Sequence, residues 1–139
     1  MILVILTGVA VVSVTVSIHA AGTSWWLSRL RDRSQSMAAE DTAGLFVLIQ
    51  TALVLILLHV MEALVWALTF YSMVPKGFSS FGEAMYFSFT TFTTLGYGDV
   101  VIEGAWRLLT GIESLNGVLL IGWSTALSFA VIERIWNRD

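Results

Sequence analysis

Three long apolar runs, almost free of charge, restrict this 139-residue chain to very few folds. Met1 to Ala21 holds His19 but no charged side chain, Thr42 to Val74 is interrupted by His59 and Glu62, and Leu108 to Ile132 by Glu113. About 20 helical residues cross roughly 30 Å of hydrocarbon, so each run is long enough to span a bilayer. Composition agrees: 57% of residues are hydrophobic and 12% charged, where soluble domains have about a quarter charged. Mean hydropathy is +0.83. The solvent such a chain expects is lipid, and the fold class is an all-α membrane protein. With no cysteine, disulfides, thiolate metal sites and cysteine nucleophiles are excluded.

Between the second and third runs lies Phe81 to Thr93, apolar and aromatic but only thirteen residues long. That is too short to span and suits a re-entrant helix buried in protein. Ser80 followed by Glu83 has the form of a capping box opening it, and Pro75 falls in the preceding loop. We therefore expect a transmembrane helix over 1–21, a polar linker over 22–41, a pore-type unit over 42–132 and a tail over 133–139. Arg29, Arg31 and Arg33 follow the first run and Arg134 and Arg138 the third, whereas Lys76 and Arg107 lie on the other side. The positive-inside rule then places the linker and the C-terminus in the cytoplasm, and the N-terminus and re-entrant segment outside. Trp25, Trp26 and Trp136 would form the cytoplasmic aromatic belt, and Trp66, Tyr71 and Trp106 the outer one. The first run could also be read as a signal peptide cleaved near "HAAG". No basic residue precedes it and it exceeds the usual apolar length, so retention as a helix is expected.

Residues 90–100 read TTFTTLGYGDV, a polar and glycine-bearing stretch at membrane depth. Irregular backbone is tolerated there only where protein buries it or water lines it. Glycine admits backbone conformations barred to other residues, so consecutive carbonyls can be turned toward one axis.

"TTLGYGD", between two spans and after a short helix, resembles the signature of potassium channels. The resemblance covers outer helix, pore helix, filter and inner helix, from about Thr42 to Ile132. It implies a potassium-selective channel that conducts passively, built as a homotetramer because one filter supplies one quarter of a ring. The partners implied are potassium ions, lipid and three further copies of the chain, with no cofactor, nucleic acid or small-molecule substrate. By the same resemblance Thr94, Leu95, Gly96 and Tyr97 would coordinate dehydrated potassium, with Gly98 turning the outer mouth and Asp99 behind it. Leu95 stands where many relatives carry valine or isoleucine. Tyr86 and Phe87 stand where some bacterial relatives place two tryptophans, so Tyr86 is expected to donate to Asp99. Thr91 is a possible partner for the Tyr97 hydroxyl. Thr90 occupies a position where some relatives have glutamate, which puts slow inactivation in doubt.

On the inner helix, Gly117 and Gly122 have a spacing similar to glycines of related channels. Gly117 is expected as a hinge, with close helix packing as the alternative. Val118, Ile121, Thr125 and Phe129 recur at helical spacing and would line the cavity, Phe129 nearest the cytoplasmic constriction. Ionisable groups inside a membrane are costly and mark function by default. One or both of Glu62 and Glu113 are expected to brace the back of the pore helix through its threonines or Ser88, with at least one carboxyl protonated; the alternative is a structural hydrogen bond with no regulatory effect. His59 with Glu62 is too little for a metal site. No voltage-sensor arginine pattern, nucleophile triad, phosphate loop or basic nucleic-acid stripe is visible in the sequence, so an enzyme is not expected. A potassium-uptake transporter subunit, a nonselective cation channel and a non-transporting scaffold remain competing readings.

Overall fold

A computed structural model describes residues 1–34, 41–74 and 77–136. Four α-helices account for nearly all of them: α1 (Ile2–Ser34), α2 (Asp41–Met73), α3 (Phe81–Phe92) and α4 (Arg107–Trp136), with one 3-10 turn at Gly104–Trp106 before α4. Three of these, α1, α2 and α4, are long and apolar enough to cross a membrane. Pro75, Lys76 and Arg138 lie outside the described residues, as do the side chain of Arg33 and the 35–40 part of the linker.

The first helix does not stop at Ala21 but continues through the greater part of the expected linker to Ser34. The residues there, including Leu27, Leu30 and three arginines, are good helix formers, and no glycine or proline follows Gly22 before Ser34. Leu30 and Trp26 remain buried against α2 and α4, so packing carries the helix past the uncharged run.

The contacts fix the directions of the helices. Along α1, Gly8 meets Leu109 and Ile112, Thr15 meets Asn116, and His19 meets Ser124, so α1 and α4 run parallel. His19 meets Glu62, Gly22 meets Leu58 and Trp26 meets Thr51, so α2 runs antiparallel to α1. Gly8 and Gly22 sit where a Cβ would collide with Ile112 and Leu58 side chains, which lets the helices approach closely. Lipid tails are as apolar as leucine, so membrane helices associate through such packing and through polar contacts rather than hydrophobic exclusion.

The short helix α3 descends from Phe81, whose ring lies edge-on to Tyr71, and ends at Phe92 beside the middle of α4. Phe87 on its inner face meets Phe70 edge-on at 5.2 Å and Phe78 at 5.4 Å. Trp66, Phe70, Phe92, Leu109 and Leu120 complete this buried cluster. Trp66 and Trp26 are therefore not belt residues. Trp66 is enclosed by the aromatic cluster, and Trp26 donates its indole N–H to Thr51 Oγ1 at 3.0 Å. Trp25, Trp136 and Tyr71 are exposed, as a belt residue should be.

The contact between α3 and α4 has one tight point. A Cβ on Gly117 would lie 1.9 Å from the carbonyl oxygen of Phe92 and 2.8 Å from its carbonyl carbon. That is backbone against backbone, with no flexible side chain to move. Close packing therefore accounts for Gly117, and α4 is continuous through it. Gly122, in contrast, has nothing within 4 Å of the added Cβ. Gly117→Ala should lower stability by about 3 kcal/mol, the upper end for overpacking, while Gly122→Ala should be neutral or stabilising. Unfolding in mixed detergent micelles would check this, and equal midpoints for the two variants would contradict it.

Candidate functional site: an irregular segment behind a re-entrant helix

The start of α3 is capped. Ser80 Oγ accepts the N–H of Glu83 at 3.2 Å. The reciprocal arm of the expected box reaches one residue further back, because the Glu83 carboxylate accepts from the N–H and hydroxyl of Ser79. Those two bonds hold the exposed Glu83 carboxyl below its ordinary range. The helix is thus pinned at the mouth, and its other end delivers Thr93 to the segment of interest.

Two backbone hydrogen bonds fold that segment back onto α3. The N–H of Thr94 donates to the Thr91 carbonyl, and the N–H of Gly96 to the Thr90 carbonyl, both at 3.0 Å. Positive φ recurs at every second residue: Thr94 at 60°, Gly96 at 49° and Gly98 at 77°. Alternation of handedness places successive amide N–H groups on one side and carbonyls on the other. Among the described residues, no hydrogen bond ends on the carbonyls of Thr94, Leu95, Gly96 or Tyr97. The run from Thr93 to Asp99 is exposed in the single chain, Tyr97 by 68%. Four consecutive carbonyls therefore lie on an exposed, glycine-bearing segment with no hydrogen-bond partner among the described residues, open to water or to a cation.

Supports expected from the sequence are partly in place. The Tyr86 hydroxyl donates to Asp99 Oδ2 at 2.8 Å, and the aspartate also accepts the N–H of Val100 at 3.1 Å. The bond to Asp99 pushes the Tyr86 phenol upward. Phe87 contributes packing rather than a bond. The Thr91 carbonyl accepts from Ser114 Oγ at 3.1 Å, tying the end of α3 to α4. Thr90 turns its hydroxyl back onto the Phe87 carbonyl at 2.9 Å. No hydrogen bond joins Tyr97 to Thr91 within the chain. Val118, Ile121, Thr125 and Phe129 all lie on the exposed side of α4, opposite the residues that pack on α1 and α2.

The two intramembrane acids part company. Glu113 is fully buried and reaches Ser88 Oγ at the back of α3. Ser88 Oγ is also 2.8 Å from the Ala63 carbonyl. A serine has one hydroxyl hydrogen, and a carbonyl can only accept. That hydrogen serves either the Ala63 carbonyl or Glu113 Oε1, and Glu113 Oε2 has no partner among the described residues. Glu113 therefore links α4, α3 and α2 through one serine.

Glu62 does not brace α3. Both its oxygens are taken by histidines: Oε1 lies 2.8 Å from His19 Nδ1 and Oε2 lies 2.9 Å from His59 Nδ1. His19 comes from α1, which sequence spacing could not reveal. A signal did exist: Thr15, His19 and Thr23 repeat every four residues, a polar stripe on the face of α1 that is buried. All three donors fall within 4.8 Å of one another, and two imidazoles with a carboxylate are a zinc-type set. The fit is poor, however. Each Nδ1 faces its own carboxylate oxygen while both Nε2 atoms face Ser124, and a dication against one carboxylate would leave net positive charge among Trp123 and Phe92.

Glu113→Gln should fold normally, since the amide keeps the shape and can still hydrogen-bond Ser88. Ser88→Ala, which strands the buried carboxyl, should cost about 1–3 kcal/mol. Thermal unfolding in detergent checks both; a Ser88→Ala variant as stable as wild type would contradict the bridging role of Ser88.

Comparison with known proteins agrees with this geometry. The profile of a family described as "Ion channel" matches residues 43–134, spanning α2, α3, the irregular segment and α4. A stretch of 63 residues, 45% of the chain, is 36% identical to the "Potassium voltage-gated channel protein Shal" of Drosophila melanogaster, and covers 11% of that protein's length. No solved structure matches the chain. The two matches and the all-helical architecture place this chain in the ion-channel family, as a member with a pore module of the potassium-channel type.

Proposed function

We propose that the chain is a potassium-selective channel, that four copies surround one pore, and that K+ passes down its gradient through it. The observation that carries this reading is the row of unpaired carbonyls at Thr94, Leu95, Gly96 and Tyr97, with positive φ at alternate residues. Around a four-fold axis such rows stack into rings of oxygen that replace the hydration shell of a cation. No such ring closes on one chain, and the exposure of this strand is what a ring-forming surface requires. Gly98 turns the strand outward, and the Tyr86–Asp99 bond holds the mouth against α3. The Tyr97 hydroxyl and Thr91 meet across the boundary between neighbouring subunits.

The exposed face of α4 lines the cavity below the rings. Val118, Ile121 and Thr125 form its wall, and Phe129, 66% exposed, its cytoplasmic constriction. Any bending of α4 centres on Gly122, where space is open, rather than on Gly117, which is wedged against Phe92. The arginine-bearing ends of α1 and α4 face the cytoplasm and the filter mouth faces outward.

Flux into liposomes tests the reading. Rubidium and potassium should enter down a gradient, sodium should not, and barium should block. Gly96→Ala places a side chain at φ 49°. A left-handed residue with a Cβ costs roughly 1–2 kcal/mol, felt at four positions around the ring at once, so flux should fall at least about 100-fold. Phe129→Ala should change conductance or open probability in single-channel records. Equal sodium and potassium flux would contradict the assignment of the filter, and an unchanged Phe129→Ala record that of the constriction.

A further inference from the structure

His19, Glu62, His59 and Ser124 close a ring inside the membrane-spanning bundle. His19 Nδ1 meets Glu62 Oε1 at 2.8 Å and His59 Nδ1 meets Oε2 at 2.9 Å. On the far side Ser124 Oγ lies 3.0 Å from His59 Nε2 and 3.4 Å from His19 Nε2. His19 and Glu62 are fully buried, and the His59 side chain is 21% exposed. The histidine rings stack at 5.4 Å, and the edge of Trp123 closes over His19.

Each leg of the ring needs one hydrogen between its two heavy atoms, which allows the protons to be counted. An ionised carboxylate only accepts, so both Nδ1 atoms carry hydrogen and donate to it. Serine has a single hydroxyl hydrogen, which can satisfy one Nε2. The other Nε2 must then carry its own hydrogen and donate to the serine oxygen. All four legs are made when Glu62 is ionised, one histidine is imidazolium and the other is neutral, and the ring then carries no net charge. Losing that proton sets an Nε2 lone pair against the serine oxygen and leaves a net negative charge buried. Gaining a second leaves the serine hydrogen without an acceptor in the ring and a net positive charge buried. Both changes are costly at this depth. The legs to Glu62 have the length of charged N–H···O bonds.

We propose that this ring is a proton-binding site, holding one exchangeable proton per chain, and that proton gain or loss loosens α4 from α1 and α2 and so regulates conduction. The regulatory half rests on the channel function proposed above. The ring joins all three spanning helices: His19 is on α1, His59 and Glu62 on α2, and Ser124 on α4. From α3 it meets Phe92, and from α4 also Trp123, neither of which titrates. Glu113, the buried acid of α4, faces Ser88 instead.

The chain has two histidines, both in the ring, so nitrogen resonances of labelled histidine report on it without overlap. In the full chain reconstituted in bilayers near pH 7, three of the four ring nitrogens should be protonated and one bare. Glu62→Gln keeps the shape; its amide accepts from one Nδ1 and donates to the other, closing the ring with two neutral imidazoles, so two nitrogens should be bare. Rubidium flux in wild type should depend on pH, and the Glu62→Gln profile should be flat. Ser124→Ala, which opens the ring without touching the carboxyl, should flatten it too. A wild-type count of two bare nitrogens, as a protonated Glu62 would give, or of none, overturns the proton site. A three-to-one count with identical flux profiles in wild type and both variants overturns the regulation. If wild type passes no rubidium at any pH, the channel reading fails while the nitrogen count still decides the ring.

Discussion

A backbone carbonyl at membrane depth has no water to accept from, and the rest of this structure is arranged around the few carbonyls that are left open. Helices α1, α2 and α4 satisfy their own backbone internally. The short helix α3 does so too, and then commits its last-turn carbonyls at Thr90 and Thr91 to the N–H groups of Gly96 and Thr94. Beyond it, the carbonyls of Thr94, Leu95, Gly96 and Tyr97 take no hydrogen bond among the described residues. Everything that holds α3 in place, from the Ser79–Ser80–Glu83 cap to the aromatic packing of Phe87 and the wedge of Phe92 on Gly117, holds those carbonyls in place as well.

The back of α3 shows how polar groups take the part that hydrophobic exclusion plays in water. Ser88 reaches Ala63 on α2 and Glu113 on α4, and Ser114 reaches Thr91. The helix α1 is joined by the same means, through Thr15 with Asn116, Trp26 with Thr51, and the histidine–glutamate ring. Such bonds are worth about 0.6–2 kcal/mol each in membranes, and their direction gives each helix pair one register. The first helix is consequently an integral part of the bundle, bonded to both α2 and α4.

Much of this was legible in the sequence because the bilayer imposes lengths. Runs long enough to span, and one that was too short, located α2, α3 and α4 to within a few residues; the Ser80 cap followed from local chemistry, and the Tyr86–Asp99 bond from the resemblance to potassium channels. What failed did so for identifiable reasons. The extension of α1 beyond Ala21 is decided by tertiary packing of Trp26 and Leu30, which no hydropathy boundary records. Trp66 was read as a belt residue because indole favours interfaces, whereas its neighbours Phe70 and Ala67 share a buried face. The pairing of Glu62 with His19 was not readable, because that partner lies 43 residues away on another helix. Gly117 could be hinge or contact from sequence alone; only the position of the Phe92 carbonyl separates them.

The central claim is that the carbonyls of Thr94 to Tyr97 coordinate dehydrated monovalent cations on a four-fold axis. Anomalous scattering from thallium in crystals of the assembled protein tests this most directly. The account predicts a column of peaks on a four-fold axis, each level with the carbonyls of this segment. Peaks away from that axis, or an assembly of any other symmetry, would contradict it.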